Sequence, residues 1–260
     1  MRRQIIHPAS PSTRGASDML KKFLLIAVSL TLLAGCNLGK ALDAGGDAYK
    51  AANLSEEEVK RDGKLVADEL DSKNTVAKGN TYAKRLEKIT AKLKNEDGLT
   101  LNYKVYMVKD VNAFALPDGS IRVFAGLMDM MTDDELFFVI GHEIGHVKLG
   151  HSADAFRVAY GASAGRKGAQ AAGGVAGALS SSELGALGED LINAQFSQQQ
   201  ELSSDDYGLA LIKKYNRKTA AAESALRKLA SLGESGGMLS SHPDSGKRAD
   251  RMKAEANTPK

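Results

Sequence analysis

The chain has 260 residues, 26% charged and 43% hydrophobic, with a formal net charge of +3 and one cysteine. That composition suits one compact domain and is only loosely compatible with two. A charge so near balance, with no basic run interleaved with aromatics, argues against a nucleic-acid partner. A single cysteine also excludes an internal disulfide, so the fold must rest on its core and on any metal it binds.

The first forty residues read as targeting sequence. Met19-Leu20-Lys21-Lys22 opens a short basic region, the apolar run Phe23–Leu33 follows, and the run ends in Leu33-Ala34-Gly35-Cys36. Such a run is short for a membrane span and suits the core of a signal peptide. LAGC resembles a bacterial lipobox, which implies cleavage before Cys36 and acylation of its thiol. Residues 1–36 are therefore expected to be a signal peptide, with 1–18 an upstream extension, 37–54 a tether, and 55–260 the folded domain. Asn37, standing where an aspartate would follow the cysteine, implies by the same resemblance the outer membrane, facing the periplasm. More than one acyl chain on Cys36 would make a stable anchor.

Beyond the tether, Ser55-Glu56-Glu57-Glu58 has the pattern of a capping box and predicts a helix to about Leu70. A second helix is expected over Thr81–Leu93, with Tyr82, Leu86, Ile89 and Leu93 on one face. Alternation of Leu101, Tyr103, Val105 and Met107 predicts a strand over Thr100–Val108. Asn112–Leu116 and Ile121–Phe124 form a strand pair around the turn Pro117-Asp118-Gly119-Ser120. Thr132-x-x-Glu135 opens a further helix running to about Leu149. Gly161–Leu179, rich in Gly and Ala, reads as a tightly packed helical hairpin. Helical patterning returns over Glu183–Tyr215 and Thr219–Leu232, followed by a Gly/Ser-rich loop, His242-Pro243 and a short terminal helix. The fold class is α+β and mostly helical, with a small sheet preceding the Thr132 helix.

That helix carries His142-Glu143-Ile144-Gly145-His146, an HExxH pattern. Residues four apart share a helix face, so both imidazoles can reach one ion. Glu143, one step round, is offset from the ion and suited to act as a general base on a water there. A third ligand must come from elsewhere. The pattern HExxHxxGxxH is excluded, because Leu149 and Ser152 stand at its glycine and final histidine positions. His151 misses that position by one and is expected to pack nearby or to cap the helix end. Glu201, followed four residues later by Asp205, fits the alternative of a downstream glutamate ligand with an aspartate to orient a ligand histidine. Glu183 and Glu189 are the other candidates. The ligand types favour zinc.

Taken in order, NAFALPDGSIRVFAGLMDMMTDDEL, HEIGHVKLGHS, FSQQQELSSDDYGL and SHPDSGKR resemble the HtpX and CAAX-prenyl-protease family of gluzincin peptidases, from about Thr81 to Arg251. The resemblance implies a zincin-like endopeptidase with one Zn2+ on His142, His146 and Glu201, Glu143 as base, and Asp205 behind the ligands. It places Asn112, Ala113 and Phe114 along the substrate cleft, where an edge strand could bind extended backbone. It sets His242 facing the active site, catalytic or holding the enzyme latent, with Arg248 behind it. Unlike the membrane-embedded relatives, this chain has no further transmembrane pattern, and Leu202 and Ser203 depart from the family's more usual residues after the glutamate. The expected substrates are extended or unfolded envelope polypeptides, with other envelope proteases or assembly factors as further partners. Two alternatives stand beside this reading: an envelope chaperone or scaffold with a structural or latent zinc site, and a metal-dependent hydrolase of another amide.

Overall fold

Capping boxes headed by Ser55, Thr132 and Ser197 set where three of the helices begin. The computed structural model describes residues 53–168, 179–233 and 238–256. The expected signal peptide with Cys36, most of the tether and the second arm of the Gly/Ala-rich hairpin lie outside the described residues. Helix α1 (Glu56–Lys73) starts at Ser55, whose hydroxyl accepts from Glu58 N at 3.2 Å while Glu58 Oε2 accepts from Ser55 N at 2.9 Å. Helix α2 (Thr81–Thr90) stops three residues short of the expected end, although Leu93 is still fully buried.

Strands β1 (Asn102–Tyr106), β2 (Ala113–Ala115) and β3 (Ser120–Phe124) make one sheet of order β1-β3-β2. The β2–β3 hairpin is the expected strand pair. Its turn needs Gly119, at φ +88°, because a Cβ there would lie 2.3 Å from the Thr100 carbonyl oxygen. The parallel pairing of β1 with β3 was not legible in the alternation. Side chains then divide by period two. Val105, Ile121 and Val123 join the core under the later helices, whereas Tyr106, Phe114 and Phe124 form an aromatic cluster under α1, with ring centroids 6.0–6.2 Å apart. On that second face Arg122, 1% exposed, forks onto Asp71 of α1 at 2.8 and 2.9 Å. Burial opposes the charge on Asp71, but Arg122 and Lys104 still hold its carboxyl below the usual range.

A short helix α3 (Ala125–Met130), not anticipated, joins β3 to α4 (Asp133–Lys148). Every residue of α4 from Glu135 to His146 is buried, which makes it the central helix of the domain. It is followed by α5 (His151–Gly168), α6 (Ser181–Ile192), α7 (Gln198–Lys214), α8 (Ala220–Ala230), α9 (Met238–Ser241) and α10 (Ser245–Ala256). The run expected over Glu183–Tyr215 is two helices. Asn193 closes α6 by donating Nδ2–H to the Glu189 carbonyl at 2.9 Å, and Ser197 opens α7 in a new capping box with Gln200.

The N-terminus of α4 contains a carboxylate whose partners make a pH prediction. Glu135 accepts from Thr132 N at 2.7 Å, Ser224 Oγ at 2.5 Å and Lys228 Nζ at 2.7 Å. Burial works against its ionisation, yet Lys228, Ser224 and Thr132 together hold its pKa down to about 2. The stabilisation is complete above the ordinary glutamate range near 4.5 and fades as pH falls toward 2. With Lys228 36% exposed and therefore screened, Glu135→Gln is expected to cost about 2 kcal/mol at pH 6, with the deficit vanishing near pH 2. Urea titrations of both proteins across that window check it; a deficit independent of pH would contradict the assignment.

Helices α4 and α7 touch through small residues. A Cβ on Gly141 would stand 3.0 Å from Gly208 Cα, one on Gly145 3.1 Å from Ser204 Cα, and one on Gly208 3.1 Å from His142 N. This approach brings the side chains of His142 and His146 up to those of α7. Gly208→Val is expected to cost about 1–3 kcal/mol by overpacking and to weaken metal binding, measured by denaturation and chelator competition.

Candidate metal centre

His142 and His146 project from consecutive turns of α4, and their Nε2 atoms lie 3.0 Å apart. Glu201 reaches the same point from the first turn of α7, with Oε1 3.3 Å from His146 Nε2 and Oε2 3.7 Å from His142 Nε2. His242, in the turn after α9, brings Nδ1 to 2.9 Å from Glu201 Oε1 and 3.3 Å from His142 Nε2. One donor atom from each of these four buried residues falls within 4.8 Å of the others. The glutamate alternatives are elsewhere: Glu183 completes the capping box of α6 and Glu189 is exposed.

The donor set fits zinc. A tetrahedral ion at about 2.0–2.1 Å from nitrogen and oxygen ligands holds neighbouring donors about 3.3 Å apart, close to the separations present here. The hydrogen-bond pattern agrees. His142 Nδ1 is 2.9 Å from Asp205 Oδ1, so a neutral ring donates there and leaves Nε2 bare, facing the other donors. Arg248, from α10, donates Nε–H to Asp205 Oδ2 at 2.8 Å and Nη2–H to Oδ1 at 2.7 Å, and its Nη1 lies against Glu201 Oε2. Glu201 Oε2 makes no aligned hydrogen bond.

Glu143 is 2% exposed and its Oε1 has no hydrogen-bond partner. Burial pushes its carboxyl above the usual glutamate range, partly offset by His242 and His142. Burial also drives His146 well below the ordinary histidine value, which favours the neutral, ligating form. Burial opposes ionisation of Glu201 as well, but the charges of His242 and His142 and the hydrogen bonds of His146 and His242 keep it low.

A profile of Peptidase family M48 matches residues 80–256. The chain belongs to this family. Among known M48-like relatives, the Metalloprotease LoiP of Escherichia coli (strain K12) is 47% identical over 244 residues, covering 89% of this chain and 97% of LoiP. Metalloprotease YcaL of the same organism is 43% identical over 243 residues, covering 90% and 96%. The mitochondrial metalloendopeptidase OMA1 of Arabidopsis thaliana is 31% identical over 175 residues, 60% of this chain and 32% of that one. The chain is thus a zinc metalloendopeptidase of the gluzincin type, in the mostly helical α+β fold described above.

One neighbour of the M48 centre was not singled out from the sequence. Phe196, in the break between α6 and α7, lies with its ring 3.9 Å from that of His146 and stacks on His242 at 5.4 Å. No spacing rule announces a residue placed by a helix break. His151 packs against His146 with ring centroids 5.2 Å apart, one of the two expectations for it. Asn112, Ala113 and Phe114 are not among the converging donors. Phe114 is 6% exposed within the aromatic cluster, and Asn112 Oδ1 accepts from Ala113 N at 2.9 Å. Because Phe124 N and Leu116 N bond across the hairpin to Asn112 O and Ser120 O, Ala113 and Ala115 turn their backbone groups to the outer edge of the sheet.

Proposed function

We infer that this protein is a lipid-anchored envelope endopeptidase that hydrolyses extended or unfolded polypeptides, with His142, His146 and Glu201 as zinc ligands. The single observation that carries the site is the convergence of those three side chains with Glu143 beside them. Bound zinc supplies a Lewis acid that polarises a carbonyl and acidifies a water. Glu143 takes the proton of the attacking water and returns it to the leaving amine. Asp205 holds His142 in the tautomer that leaves Nε2 free, and Arg248 fixes the Asp205 carboxylate through two parallel hydrogen bonds. The outer edge of β2 supports recognition of substrate backbone as an added strand, with little dependence on side chains.

His242 is best read as a latch. Its Nδ1 stands at the fourth corner of the donor set, while its Nε2 is 3.7 Å from Glu143 Oε1. Four protein donors describe a closed site, and catalysis needs an open position. The same closure is what would favour a scaffold with a structural zinc, the second reading.

The lipobox reading of Cys36 supports the anchor and, with Asn37, the outer membrane. Cys36 is the proposed attachment; among the described residues no helix is long and apolar enough to cross a membrane.

The deciding experiment is digestion of unfolded casein by purified protein. Loss of cleavage on chelation and recovery with zinc are expected, with higher turnover in His242→Ala. A chaperone that merely holds casein would leave it intact in every arm. Cys36→Ala should release the protein from the membrane fraction; retention there would sink the anchor.

A further inference from the structure

The two histidines of HExxH each have a second ring nitrogen, and the mechanism above accounts for only one of them. His142 Nδ1 is served by Asp205. His146 Nδ1 lies 3.2 Å from His151 Nδ1, at the start of α5. If His146 Nε2 is to face a cation, its proton must sit on Nδ1, and that N–H must be donated. His146 is fully buried, so no water stands in for an unmade bond at that atom and the loss would be costly. His151 Nδ1 is the ring atom within reach.

We propose that His151 is a positioning residue for zinc, accepting the Nδ1–H of His146 as Asp205 accepts that of His142. The inference rests on the zinc reading of the preceding section. It sets the His151 tautomer as well: with its Nδ1 lone pair accepting, the ring carries its own hydrogen on Nε2. Ser204 Oγ lies 3.3 Å from the same Nδ1 and borders the ring from α7. His151 also lines a cavity of about 380 Å³ with Asp154, Val158, Asp190, Phe196 and Gln200, which leaves room for the outer edge of the ring. The two ligand histidines are thus oriented unequally, one by a carboxylate tied to Arg248 and the other by a neutral imidazole. The chain between Gly145 and His151 makes this reach possible. Leu149 closes α4 onto the Gly145 carbonyl, Gly150 takes φ +81°, and α5 restarts at His151. His151 sits five residues after His146, a spacing that an unbroken helix would not bring alongside it.

Zinc affinity of the full chain, purified in detergent and measured by chelator competition, tests this. His151→Phe keeps a ring of similar size without an acceptor, and zinc should bind about 10–100-fold more weakly. His151→Gln restores an acceptor oxygen and should recover most of the loss, while the zinc-free melting temperatures stay together. Equal affinity in wild type and His151→Phe, or no recovery in His151→Gln, overturns the proposal. If His151→Phe does not fold, nitrogen-15 spectra of the zinc-loaded wild type decide. A proton on His146 Nδ1 and on His151 Nε2 supports the assignment, and a proton on His151 Nδ1 overturns it. Failure of wild type to bind zinc would instead remove the zinc-site reading itself.

Discussion

Glu143→Gln is expected to lower peptide hydrolysis by about 10²–10⁴-fold while leaving zinc in place. The carboxylate does not belong to the converging donor set, so the amide should not change metal content. It does supply the proton acceptor, and an amide of the same shape cannot take a proton at neutral pH. Folding should not suffer. Glu143 Oε1 is buried without a hydrogen-bond partner, and burial already disfavours its charge. Replacing it with a neutral group therefore leaves the melting temperature equal or higher. Metal analysis, calorimetry and casein digestion on the same preparation check the three parts. Full activity in Glu143→Gln would remove this residue from the chemistry; loss of zinc together with activity would make it a structural element of the site.

Arg248 carries the largest expected effect on stability. It is 4% exposed and forms a fork on Asp205 while also touching Glu201. Two buried carboxylates thus share one guanidinium, and removal of the cation leaves them with only the neighbouring histidines as partners. Breaking a buried pair in this way costs about 3–5 kcal/mol, so Arg248→Met should destabilise the zinc-free protein by that amount. Zinc at Glu201 would offset part of the cost, so the variant should gain more stability from zinc than wild type does. Arg248→Lys keeps the charge but cannot form the fork, and falls between the two. Chemical denaturation with and without zinc gives all four numbers. A cost below about 1 kcal/mol in the zinc-free Met variant would show that water or a relaxed geometry already satisfies the carboxylates.

How much of this was readable beforehand depends on how far apart the partners lie along the chain. The caps at Ser55 and Thr132 appear where the Ser/Thr-x-x-Glu pattern put them, because the interaction spans three residues of one helix. His142 and His146 share a helix face for the same reason. Leu93 escaped its predicted helix yet stayed in the core, since burial of an apolar side chain does not require helical backbone. The helix predicted across Glu183–Tyr215 failed at Asn193–Ser197, where side-chain caps from both neighbours outcompete continuation. That break is also what positions Phe196 against His146.

The amino-acid sequence by itself determined the local geometry of the centre: two imidazoles and a base on one turn of helix, and a glutamate and aspartate one turn apart on another. Helical rise and rotation are the same in every protein, so spacing alone carries that information. Only the tertiary structure decided that these two helices meet. They do so because Gly141, Gly145, Ser204 and Gly208 let their backbones approach. It also decided that His242 and Arg248 arrive from the far end of the domain, that His151 faces His146, and that β3 lies between β1 and β2. Those contacts depend on how separate elements pack or on where a helix breaks, for which no fixed spacing exists.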